Sequence, residues 1–162
     1  MTHEPPTERI RMMLALRVRR EQRAQVALQR GLAEHAAAAE EAKQMDRAVC
    51  LQTSARLARE RQIYHEMRGQ SFSAREIAGV DAELRQLGRD SAGLAAQLAA
   101  SIRTAETAHN EVKALRRQFG GLHRARRKWD ELLRLADGRC KARQALLEEL
   151  SMSDGSMARP RS

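Results

Sequence analysis

The sequence predicts an all-α protein in which two long helices form an antiparallel coiled-coil hairpin. Three observations lead to this prediction: a sustained seven-residue apolar repeat, a composition poor in aromatic residues, and one cluster of turn signals near residue 71. Aromatic residues make up 2% of the chain and charged residues 31%, a balance typical of long helices. Because such a hairpin buries only a narrow seam, we expect no sizeable core and no enclosed pocket.

The apolar repeat runs from Ile77 to Leu150. Steps of alternately three and four residues select 22 positions, and 18 of them are apolar. The four exceptions are Ser91, Ser101, Arg126 and Arg143. A seven-residue period of this length stays on one helix face only when helices supercoil around each other. A β-strand is excluded because it needs a period of two. The sequence therefore predicts one very long helix with a helical partner.

That partner is predicted to be an earlier helix of the same chain, joined by a short turn. Pro5 and Pro6 place its start at about residue 7, and no proline follows until residue 160. Gly69 can end it in the left-handed conformation. Ser73 and Glu76 have the spacing of a capping box that starts the next helix. The alternative interpretation is one unbroken helix.

The predicted boundaries follow from these signals. We expect a disordered lead over 1–6, a helical hairpin over 7–150, and a disordered tail over 151–162. Within the hairpin, the first helix covers about 7–68, the turn 69–73 and the second helix about 74–150. Position i of one helix should face roughly position 141 − i of the other, since a short turn makes consecutive helices antiparallel neighbours. The second helix should therefore lack a partner beyond about residue 134.

The charge of the chain predicts an acidic partner. The formal net charge is +9 and the pI about 10.8, which favours nucleic acid, a membrane surface or an acidic protein. The start of the chain has no apolar signal-peptide region, and no run reaches the roughly 18–20 apolar residues of a membrane span. We therefore expect a cytoplasmic protein without membrane insertion.

No catalytic or ligand-binding motif is recognisable in the sequence. The five histidines lack metal-ligand spacing, neither Ser nor Cys sits in a nucleophile motif, and Gly120-Gly121 has no phosphate-loop context. We expect a protein that is not an enzyme, with no metal, no cofactor and no small-molecule substrate.

Two groups of residues are candidates for partner contacts. Arginines and lysines are dense in the first half of helix one and late in helix two, and an antiparallel hairpin brings these groups to the same end. An ordinary solvated helix face explains them equally simply. Nucleic acid is less favoured because the aromatic stacking platforms of single-strand binders are missing. At the turn end, apolar and aromatic residues cluster, where they either contact a partner or merely pack the turn: Ile63, Tyr64, Met67 and Phe72.

The stretches 13–28 and 62–68 resemble the stalk proteins of type III secretion systems, the YscO-type proteins and their flagellar relative FliJ. The resemblance implies a stalk that links the hexameric secretion ATPase to the cytoplasmic domain of the membrane export-gate protein, peripheral to the inner-membrane apparatus. It also implies the handling of export chaperones. Carried onto this sequence, the candidates for the ATPase contact are Arg17, Arg19, Arg20, Arg23, Arg116, Arg117, Arg124 and Arg127. The candidates for the export-gate contact are Ile63, Tyr64 and Phe72.

Two other functions are compatible with the same features. A generic coiled-coil adaptor or oligomerisation module would self-associate through the exposed end of helix two. A basic nucleic-acid-binding helical protein would bind any sequence with an affinity that falls steeply with salt.

Overall fold

The computed structural model describes residues 6–157, with side chains for 7–152. Helix α1 is Pro6–Met67 and helix α2 is Ala74–Met157, and the described residues contain no strand. The two helices pack as an all-α antiparallel hairpin, so the predicted fold class is confirmed. The predicted disordered lead lies outside the described residues except for Pro6, which begins α1. Proline suits this position because the first helical N–H has no intrahelical partner.

The turn between the helices contains the signals that the sequence predicted. Gly69 has a φ of +82°, a conformation that residues with a Cβ rarely adopt. The Ser73 N–H donates to Glu76 Oε2 at 2.8 Å, and the Glu76 N–H donates to Ser73 Oγ at 3.3 Å. These reciprocal bonds form a capping box. The hydrogen bond from the Ser73 hydroxyl, followed by that from its N–H, lowers the pKa of Glu76. The alternative of one unbroken helix is therefore wrong.

The chain consists of two compact units. Unit 1 is formed by residues 1–28 and 115–162, of which 6–28 and 115–157 are described. Unit 2 is formed by residues 29–114 and contains the turn. Each unit pairs a segment of α1 with a segment of α2.

In unit 2, the apolar repeat forms a narrow core. Every position of the repeat from Val80 to Val112 is half-buried or buried. Val112 and Ile63 are each 2% exposed. Arg59 pairs with Glu83, and the His35 and His109 rings lie 5.2 Å apart. These residue numbers add to 142 and 144, close to the predicted register.

In unit 1, the same repeat is covered only as far as Ala136. Its positions from Leu115 to Ala136 are all half-buried, and Ala24 of α1 is 6% exposed. Every residue from Gly138 to Met152 is exposed. The last four positions of the repeat are thus uncovered, as expected for the part of α2 that has no partner in the hairpin.

The end of α2 differs from the prediction. The sequence predicted a disordered tail from residue 151, but α2 continues to Met157. No proline interrupts this stretch, and adding a residue to an existing helix requires no new nucleus. The Ser151 hydroxyl also donates to the Glu148 carbonyl at 2.8 Å. Residues 158–162 of the predicted tail lie outside the described residues. No helix in the described part of the chain is long and apolar enough to cross a membrane.

Candidate protein-docking surface on unit 1

The excess positive charge of the chain lies in unit 1. Its described residues contain sixteen Lys and Arg against eight Asp and Glu, a net charge of +8. Unit 2 contains twelve of each and is neutral. All eight arginines predicted to contact an ATPase belong to unit 1. A protein with separated charge of this kind presents one unit to acidic partners.

In unit 1, a network of ion pairs around Glu21 connects α1 to α2. Its Oε1 lies 2.7 Å from His123 Nδ1, and its Oε2 lies 2.5 Å from Arg126 Nε. Arg126 Nη1 also donates to Asp130 Oδ2 at 2.7 Å. The Glu21 side chain is 13% exposed. Burial alone would raise the pKa of Glu21, but the hydrogen bond with His123 and the charge of Arg126 outweigh burial and lower it. The Glu21 carboxylate is therefore ionised, and its ion pairs connect α1 to α2.

Two further contacts join the helices in unit 1. Arg11 Nη2 donates to Asp137 Oδ1 at 3.2 Å. The guanidinium of Arg17 lies 4.9 Å from the centre of the Trp129 ring, within the range of a cation–π interaction. Arg17 is half-buried, and its Nε is buried without a hydrogen-bond partner among the described residues. Arg17 therefore packs in the seam between the helices, and its contact with an ATPase stays a prediction.

The other seven predicted arginines are exposed on unit 1: Arg19, Arg20, Arg23, Arg116, Arg117, Arg124 and Arg127. Sequence reasoning missed the apolar residues that accompany them. Met13 is 40% exposed, Leu16 50%, Leu132 48% and Leu135 56%. The signal available in the sequence was that Leu132 and Leu135 fall outside the apolar repeat, so that coiled-coil packing does not account for them.

The turn end of unit 2 holds the three residues predicted to contact an export gate. Ile63 is 2% exposed and Tyr64 66% exposed, while Phe72 is half-buried. Ile63 therefore lies in the core, and Tyr64 is the one of the three whose side chain is mostly exposed. The contact of these residues with an export gate stays a prediction.

The described residues form no candidate metal site. Within 6–157, no group of three or more His, Cys, Asp or Glu side chains could hold a metal ion. Cys50 and Cys140 are free and exposed. What unit 1 offers is a surface that carries both charged and exposed apolar side chains.

The structure is similar to the crystal structure of the type III secretion protein YscO from Vibrio parahaemolyticus. The TM-score is 0.81 at 22% sequence identity, and the alignment covers 91% of this chain and 93% of that chain. At this identity the likeness establishes a shared fold. No protein-family model matches the sequence, and no curated protein matches it either. The resemblance to YscO-type proteins is thus confirmed at the level of the fold.

Proposed function

We propose that this protein is a non-enzymatic stalk of a type III secretion apparatus. Unit 1 contacts the hexameric secretion ATPase, and the turn end of unit 2 contacts the cytoplasmic domain of the export-gate protein. Export chaperones are further partners of the same protein. The protein acts in the cytoplasm, peripheral to the inner membrane. The observation that carries this proposal is the YscO fold, matched over 91% of the chain.

The charge distribution supports the assignment of the ATPase contact to unit 1. Seven of the predicted arginines are exposed there, and the described residues of unit 1 carry a net charge of +8, whereas unit 2 is neutral. Electrostatic complementarity raises association rates and fixes the orientation of two partners, so a basic unit is suited to an acidic surface of a partner protein. In unit 2, the exposed Tyr64 supplies an aromatic anchor of the kind that dominates protein interfaces.

The test is stimulation of the cognate secretion ATPase by the purified chain. Reversal of Arg19, Arg23, Arg116 and Arg124 to Glu should abolish stimulation while helicity is unchanged, because all four side chains are exposed. The matched control reverses four exposed arginines of unit 2, Arg61, Arg68, Arg75 and Arg103, with the same change in charge. Stimulation that survives in the first variant, or is lost equally in both, contradicts the proposal.

Nucleic acid is the second candidate partner, because the +8 charge of the described residues of unit 1 would also attract phosphates. The aromatic side chains of unit 1 speak against single-strand binding: Trp129 lies beneath Arg17 and Phe119 is half-buried. If the chain retained nucleic acid in a manner lost at high salt, and failed to stimulate the ATPase, this candidate would replace the stalk.

A further inference from the structure

Unit 1 has two different sides, which the cross-helix contacts identify. Glu21 contacts His123 and Arg126, and Arg11 contacts Asp137. Glu21 and Arg126 belong to the seam that also contains Arg17, Ala24 and Trp129, and by helical periodicity Arg11, His123 and Asp137 flank this seam on one side. We call this side the ion-paired face.

The opposite side of the seam carries a different set of residues. By helical periodicity, it comprises positions 9, 13, 16, 20, 23 and 27 of α1 and positions 121, 125, 128, 132, 135 and 139 of α2. We call this side the open face. Of its twelve residues five are Arg or Lys, and none is Asp or Glu. The spacing of three then four residues recurs on both helices, as Met13, Leu16, Arg20 and as Leu132, Leu135, Arg139.

The centre of the open face is an exposed apolar patch. Met13, Leu16, Leu132 and Leu135 are 40–56% exposed. Because Arg17 of α1 lies beside Trp129 of α2, antiparallel pairing places Met13 level with residues 132–135 of α2. The side chains of Met13, Leu16, Leu132 and Leu135 therefore share one side of the two helices. Arg20 and Arg139 then lie at the two ends of the patch, because the helices run in opposite directions. Both arginines are exposed, and neither forms an ion pair among the described residues.

We infer that the open face binds an acidic amphipathic helix of a partner protein. Two antiparallel helices leave a groove along their axes, and the apolar face of a third helix fits such a groove. The distance from Arg9 to Arg20 corresponds to about three helical turns. Leucines of the partner would cover the patch, and its carboxylates would meet the arginines at both ends. The flexible side chain of Met13 adapts to the shape of the incoming residues.

Charge decides against a second copy of this chain as the occupant. The described residues of unit 1 carry +8, so two such units would repel each other on contact. The inference rests on the proposed function in that it takes unit 1 as the partner-binding unit. It adds which side of unit 1 binds and what chemistry the partner must have.

The experiment measures the binding of three synthetic 21-residue helical peptides to the full chain. One has leucines at alternating steps of three and four, with Glu and Ala elsewhere. The second replaces Glu by Lys, and the third has the acidic composition with the leucines scrambled. Trp129, the single tryptophan, reports binding because it lies in the seam below the face. The acidic amphipathic peptide should bind at low salt, the scrambled peptide at least tenfold more weakly, and the Lys peptide not at all.

Paired variants separate the open face from net charge and from general hydrophobicity. Arg20→Glu with Arg139→Glu should weaken binding of the acidic amphipathic peptide at least tenfold. Arg134→Glu with Lys141→Glu, an equal change in charge at exposed residues away from the face, should leave it unchanged. Leu132→Gln with Leu135→Gln should also weaken binding at least tenfold, whereas Leu51→Gln with Leu57→Gln, exposed residues of unit 2, should not.

Several outcomes would overturn the inference. The inference is overturned if a variant pair and its control weaken peptide binding equally. It is also overturned if the scrambled peptide binds as tightly as the acidic amphipathic peptide, or if the acidic amphipathic peptide does not bind. Dimerisation of the chain alone in sedimentation, lost in the Leu132/Leu135 variant, would assign the face to a second copy instead. The assay contains no secretion ATPase, so its failure is distinct from a failure of ATPase stimulation.

Discussion

Units 1 and 2 share one construction and differ in what they leave exposed. Both pair a segment of α1 with a segment of α2 along the same apolar repeat. In unit 2, twelve cationic residues are balanced by twelve acidic ones, whereas the described residues of unit 1 comprise sixteen cationic and eight acidic ones. Unit 1 moreover gathers Glu21, Asp130 and Asp137 on one side and leaves arginines and apolar residues on the other. The difference is one of surface: the described charges of unit 2 are balanced, whereas unit 1 combines excess positive charge with exposed apolar side chains.

The largest expected effect tests the structural role of unit 2. Ile63→Ala removes a side chain that is 2% exposed and should lower the free energy of unfolding by about 2–4 kcal/mol, since it leaves a cavity. Chemical denaturation followed by circular dichroism measures the change. Leu51→Ala, at a residue 71% exposed in the same unit, is the control and should change stability little. An equal loss in both variants would contradict the assignment of Ile63 to the core.

The next largest loss of stability is expected when an ion pair of unit 1 is broken, and an ion pair of unit 2 serves as the comparison. Glu21→Gln should cost about 1–3 kcal/mol, because a nearly buried charge interaction with Arg126 is lost. Glu83→Gln, which breaks the exposed pair with Arg59 in unit 2, should cost less than Glu21→Gln, because water screens an exposed ion pair. The Glu21 side chain is 13% exposed and that of Glu83 40%. Equal losses of stability in the two variants would mean that the ion pairs of Glu21 stabilise the fold no more than the Arg59–Glu83 pair does.

The pH dependence of this difference has a defined sign. The pKa of Glu21 is lower in the folded chain than its ordinary value, so its stabilising contribution is present above that ordinary value. The contribution is lost as pH falls through the lowered pKa of the folded state. The wild type should therefore lose its stability advantage over Glu21→Gln below about pH 4, as measured by denaturation at stepped pH. An advantage that persisted at pH 2 would contradict the ion-pair origin of the effect.

A smaller effect is expected at the turn. Ser73→Ala removes the hydroxyl that accepts from the Glu76 N–H and should cost about 1 kcal/mol. Ser54→Ala is the matched control, because its hydroxyl bonds only to the Leu51 carbonyl within α1. Thermal unfolding of both variants distinguishes a helix cap from an ordinary exposed serine, and identical midpoints would argue against the cap.

The smallest effect tests where α1 stops covering the apolar repeat of α2. Leu147→Ala should leave stability unchanged within about 0.5 kcal/mol, because Leu147 is 57% exposed. Leu133 occupies the same row of the repeat two heptads earlier and is half-buried. Leu133→Ala should therefore cost measurably more in the same denaturation experiment. A stability loss at Leu147 as large as that at Leu133 would show that the end of α2 is covered in solution.

The hairpin was predictable from the sequence because a seven-residue period and a capping box are local patterns. The positions from Val80 to Ala136 are protected as the repeat predicts. The surface of unit 1 was only partly predictable, because it depends on cross-helix contacts. Counting arginines could not reveal that Arg17 stacks on Trp129, since the two are 112 residues apart. The helical end from 151 to 157 was missed because a helix can continue through residues that lack an apolar pattern.

The two cysteines allow the most direct test of the central claim, since Cys140 lies in unit 1, Cys50 lies in unit 2, and both thiols are free and exposed. A photo-activated cross-linker is attached to Cys140 in a Cys50→Ser chain, or to Cys50 in a Cys140→Ser chain. Each is irradiated with the cognate hexameric secretion ATPase. Cross-linking to the ATPase from Cys140 and not from Cys50 is the predicted result. Cross-linking from Cys50 alone would place the ATPase contact on unit 2 and contradict the account.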